Sequence, residues 1–89
     1  MNIHVSKLVP VEGHVSIRAV VEVHCQGLVL RGLKLEETRF EAETRYRLIP
    51  PGRKIQSSWQ TVFEFADPGI EPQLRRAVVA RYHEVRCRS

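Results

Sequence analysis

Val15-Ser16-Ile17-Arg18-Ala19-Val20-Val21-Glu22-Val23-His24-Cys25 is the stretch on which the fold turns. Its odd positions are Val, Ile, Ala, Val, Val and Cys, and its even positions are mostly Ser, Arg, Glu and His. A period of two places one set on each side of an extended chain, so the stretch reads as a strand with one buried face. Gln26-Gly27 follows as a two-residue turn, and the apolar run 28–35 completes a long hairpin. Gly32, inside that run, marks either a bulge or a close backbone approach.

Working outward, 3–9 alternates as a shorter strand that Pro10 ends, and 12–14 makes the turn into the long hairpin. The charged segment 36–43 is weakly patterned and reads as a loop or a ragged strand extension. Residues 46–49 form a fourth strand, stopped by Pro50-Pro51-Gly52. Trp59, Thr61, Phe63 and Phe65 share one face of a fifth. After the turn at Asp67-Pro68-Gly69, a helix is expected over 71–86, with Pro72 in its first turn and Glu71 at the positive end of its dipole.

On that helix Leu74, Val78, Tyr82 and Val85 fall within about 80° and make the buried stripe, with Arg76 and His83 pointing away. Arg81 falls close to the stripe, where it must snorkel or serve a partner. The elements add up to an α+β fold, an antiparallel β-sheet meander of four to five strands covered by one C-terminal α-helix, in a single domain 1–89.

With 89 residues, 43% hydrophobic and 27% charged, the chain is small for one core, and a homodimer is the simplest added support. No run approaches the roughly 18 apolar residues of a membrane span, and 1–4 lacks the pattern of a secretory signal. The expectation is a cytoplasmic protein, not a membrane one, with Cys25 and Cys87 as free thiols.

Charge is distributed unevenly. Residues 1–44 carry five Lys plus Arg against six Glu, net −1, whereas 45–89 carry nine against four acids, net +5. Eleven of the fourteen cations are Arg, whose planar fork grips phosphate at two points. The plain alternative is a solvated arginine-rich surface balanced by Glu71 and Glu84.

Other chemistries find little support. His83 and Cys87 have metal-ligand spacing on a helix, but His24 and Cys25 point to opposite faces of their strand, so no metal site is expected. Ser57 and Ser58 beside Arg53 and Lys54, or Glu64 with Asp67, do not make a nucleophile, base and orienting group. The expectation is therefore no enzyme and no cofactor. Trp59, Phe63 and Tyr82 read as core residues, with Trp59 the candidate for stacking on a base.

Three stretches in order resemble the stage V sporulation protein G (SpoVG) family of small bacterial septation and regulatory proteins. Ser16-Ile17-Arg18-Ala19 is similar to the family's Arg-Ala strand entry, and 48–54 (Leu-Ile-Pro-Pro-Gly-Arg-Lys) to its Pro-x-x-Arg segment. Ala77-Val78-Val79-Ala80-Arg81-Tyr82-His83 resembles its Ala-Val-x-x-x-Tyr-His helix ending. Together with Asp67-Pro68, these span nearly the whole chain. The segment 36–45 is longer and more acidic than the family's turn, and Trp59 is foreign to its pattern.

The resemblance implies a homodimeric regulator that binds DNA, and in some members RNA, and is linked to septation or sporulation. Carried over to matching positions, the contact residues are Arg53 and Lys54 in a loop and Arg75, Arg76, Arg81 and Arg86 around the helix. Six phosphate contacts of this kind would weaken binding roughly a thousandfold between about 50 and 200 mM salt. The competing expectation is an adaptor that recruits a division or regulatory protein through a sheet edge or the 36–43 segment.

Overall fold

The computed structural model describes residues 2–55, 58–61, 65 and 67–88. Four strands, β1 (Ile3–Pro10), β2 (Ile17–Cys25), β3 (Leu28–Phe40) and β4 (Glu43–Ile49), form one antiparallel sheet in sequence order. A separate two-stranded ribbon, β5 (Gly52–Ile55) with β6 (Ser58–Thr61), follows, and then the helix α1 (Ile70–Arg88). The α+β architecture expected from the sequence is the one observed.

Its centre is the alternating stretch. Ala19, Val21, Val23 and Cys25 are buried on one face of β2, while His24 between the last two is exposed. Leu33 and Leu35 of β3 and Leu48 of β4 continue the same face, and α1 closes it with Leu74, Val78 and Tyr82. Val85, expected in the buried stripe, is only half-buried, because the helix has by then run toward the sheet's end. Both cysteines are free, Cys25 buried and Cys87 exposed.

The turns follow from backbone chemistry. Gln26 and Gly27 both take positive φ, 52° and 76°, as a two-residue turn matched to strand twist demands. Gly32 satisfies both of its readings. It lies at a register shift opposite Val21/Val23 with φ +78°, and a Cβ there would stand 3.3 Å from Pro51 Cβ. Between β1 and β2, His14 Nδ1 accepts the backbone N–H groups of Ser16 (3.1 Å) and Ile17 (3.0 Å).

Two of the sequence expectations hold in detail and two need correction. Pro10 ends β1, as expected. It pairs with Ala19 as the last residue of an edge strand, where a missing donor costs little. Segment 36–43 takes the second of its two readings, a strand extension: β3 runs through Phe40 and meets β4 across a turn at Glu41 and Ala42, with Glu41 at φ 58°. Arg53 and Lys54 lie on strand β5, paired with Gln60 and Trp59, rather than in a loop. The fifth strand expected over 59–65 is β6 over Ser58–Thr61, it pairs with β5 outside the main sheet, and residues 62–64 lie outside the described residues. The side chains of Trp59 and Phe63 lie outside them as well.

On the sheet's other face, Glu22 accepts Ser6 Oγ at 2.7 Å through one carboxylate oxygen and Arg31 Nε at 2.7 Å through the other. The Ser6 hydrogen bond, then that from Arg31, holds its carboxyl below the usual range. A folded-state value below the unfolded one contributes stability that is present above the ordinary carboxyl range, near pH 4.3, and is lost as pH falls through the folded value. Glu22→Gln is therefore expected to flatten the acid side of the melting-temperature profile below about pH 4.3 while leaving the neutral side nearly level. A thermal-melt series across pH checks it, and an unchanged acid limb contradicts it.

Candidate nucleic-acid interface

The helix is fixed against β4 by its first turn. Asp67 accepts the Gly69 N–H through Oδ1 (2.8 Å) and the Ile70 N–H through its carbonyl (3.2 Å), setting the point where the helix starts. Glu71 then reaches the edge strand, where its Oε1 accepts the Leu48 N–H at 3.4 Å. Its other oxygen pairs with Arg75 Nη1 at 3.2 Å. One acidic side chain thus ties helix to strand and orients an arginine along the seam between them.

That seam is an open groove of about 560 Å³ lined by Arg45, Tyr46, Arg75, Arg76, Val79 and Ala80. Arg45 comes from β4, where Glu43 Oε2 holds it at 3.0 Å. Arg76 donates from Nε to the Pro72 carbonyl at 3.3 Å. Tyr46 lines the groove directly across the β3–β4 register from Glu37. Burial first, and the Glu37 carboxylate next, push its phenol above the ordinary value. Its ring meets Tyr82 (centroids 6.5 Å apart, 65°) and His83 (5.8 Å, 89°) edge to face.

The structure divides the six arginine and lysine residues expected at the interface. Arg75 and Arg76 meet in this groove. Arg86 lies further along the helix, its guanidinium 5.6 Å from the Tyr82 ring centre. Arg81 is on the opposite flank, in a groove with Ile3, His4, Val5 and Ser6 of β1, paired with Glu84 at 3.0 Å. It does not join Arg75 and Arg76 in their groove. The side chains of Arg53 and Lys54 lie outside the described residues. The cations expected on the helix therefore do not form a single strip.

Sequence reasoning missed Arg45 and Tyr46. Arg45 sits inside the weakly patterned region beside the expected loop, and Tyr46 stood only as the start of a strand. The available signal was their place on the last strand before the helix, which the structure shows to be a sheet edge.

Among the described residues, no three His, Cys, Asp or Glu side chains form a group suited to a metal ion, and no helix is long and apolar enough to cross a membrane. Comparison of the chain with protein-family models, curated proteins and solved structures returns no match, so the likeness to the SpoVG family rests on its three sequence stretches.

Proposed function

We propose that the chain is a small regulatory nucleic-acid-binding protein whose contact surface is the α1–β4 seam. The observation that carries the reading is the convergence of Arg45, Arg75 and Arg76, from two elements, on one groove. Two of the three belong to the helix segment singled out by the family resemblance. Each guanidinium can hold a phosphate at two points. The carboxylates now paired with Arg45 and Arg75 do not bar this, since exposed ion pairs are worth about 0–1 kcal/mol and exchange readily.

Affinity in this reading is electrostatic. Each phosphate neutralised releases condensed counterions, which makes binding steeply salt-dependent. The expected homodimer belongs to the same proposal, because two seams acting on one ligand multiply affinity without any new contact. The link to septation or sporulation is supported by the family resemblance alone.

A gel-shift titration over a salt series tests the proposal. Retardation at micromolar protein and low salt, fading as salt rises from about 50 to 200 mM, is the expected result. No retardation at micromolar protein, or affinity that ignores salt, rejects it.

A further inference from the structure

The lining of the α1–β4 groove is two-natured. Its rim carries three arginines, yet its base and outer wall are Tyr46, Val79 and Ala80. A duplex is a stiff rod that presents phosphates, sugars and base edges but keeps the base faces stacked inside, which would satisfy the rim and leave the base of the groove unfilled. An unpaired nucleotide offers a flat, apolar-faced ring with a phosphate on either side, and so matches both.

Tyr46 is also held in advance. It stands across from Glu37 in the β3–β4 register, and its ring meets those of Tyr82 and His83 edge to face. A ring packed against two others loses little freedom when a base settles on it. Val79 is half-buried beside it, and Ala80 is exposed at the wall.

Resting on the nucleic-acid reading above, we infer that this groove accepts one unpaired base of a single strand. The base packs on Tyr46 and Val79, and its flanking phosphates lie on Arg45 at one lip and on Arg75 and Arg76 at the other. The ligand class is single-stranded nucleic acid, bound with little regard to sequence because every base has a π-face.

Fluorescence anisotropy on one labelled strand of about 12 nucleotides, alone and annealed to its complement, tests this at about 50 mM salt. The single strand is expected to bind at least about tenfold tighter than the duplex. Tyr46→Leu is expected to weaken single-strand binding by roughly 5- to 100-fold and to leave duplex binding unchanged, while Tyr46→Phe binds like the parent. Ala80→Glu, at an exposed position that leaves the core untouched, is expected to lower single-strand binding as well. That result stands even if Tyr46→Leu does not fold. A duplex bound as tightly as the single strand, or equal losses on both ligands in Tyr46→Leu, overturns the base slot and leaves the nucleic-acid reading intact. Binding of neither ligand overturns both.

Discussion

Arg75→Glu combined with Arg76→Glu is expected to abolish nucleic-acid binding while leaving the protein folded. Both side chains line the α1–β4 groove, and Arg76 is exposed. A hydrogen bond to a charged group contributes about 1.5–3 kcal/mol, so two lost contacts alone account for roughly a hundredfold or more. The two new carboxylates add repulsion toward every phosphate that approaches. The structural cost is small, because the Arg75–Glu71 pair it breaks is partly exposed, and like charges four apart on a helix cost about 0.2–0.5 kcal/mol. Arg81→Glu is the control. On the opposite flank, beside β1, it should change affinity by no more than about twofold through general charge. Anisotropy for the three proteins, with circular dichroism for the fold, decides the matter. Equal losses in the double variant and in Arg81→Glu would mean that overall charge, not the groove, governs binding.

Leu74→Ala is expected to cost about 2–5 kcal/mol, a large share of the roughly 5–10 kcal/mol that holds a domain of this size together. Leu74 has no exposed surface and packs with Val78 and Tyr82 against Val21, Val23, Leu33 and Leu35. The core has only ten buried side chains among the described residues, so little remains to close over the cavity. Val85→Ala, at a half-buried position on the same helix, should cost no more than about 1 kcal/mol. Urea unfolding of the two variants gives the comparison directly. A loss under about 1 kcal/mol for Leu74→Ala would show that α1 is not seated on the sheet, and the seam would go with it.

The parts of this fold that were legible in the sequence are those with one wet face and one dry face. β2 alternates because it lies between β1 and β3 under the helix, and the Gln26-Gly27 turn carries a glycine where positive φ requires one. The hairpin beyond Glu36 was illegible for the opposite reason. Past Ser16, β3 and β4 run on as a pair with no third strand beside them, so neither face needs to be apolar, and Phe40 is left 65% exposed. Its turn also lacks a signal: Glu41 takes the left-handed conformation usually given to Gly or Asn. Pro50-Pro51-Gly52 reads as a breaker and is one for β4, yet β5 begins at Gly52 itself.

The site was half legible. A helical wheel places Arg75 and Arg86 on one flank of the buried stripe and Arg81 just past its other edge, but it cannot say which strand lies under each flank. The structure puts β4 under the first and β1 under the second, which separates Arg81 from the other arginines. Arg45 completes the groove through tertiary packing, by way of the Glu71 to Leu48 contact that sets helix against strand. No local pattern encodes that contact.

The salt dependence of binding tests the central claim most directly, that Arg45, Arg75 and Arg76 neutralise phosphates together. On a single strand, each phosphate contact contributes about −0.7 to the slope of log affinity against log salt. The three arginines of one groove predict a slope near −2, falling by about 0.7 with each Arg→Ala replacement and to near zero when all three are replaced. A slope that stays the same in the triple variant would contradict the account.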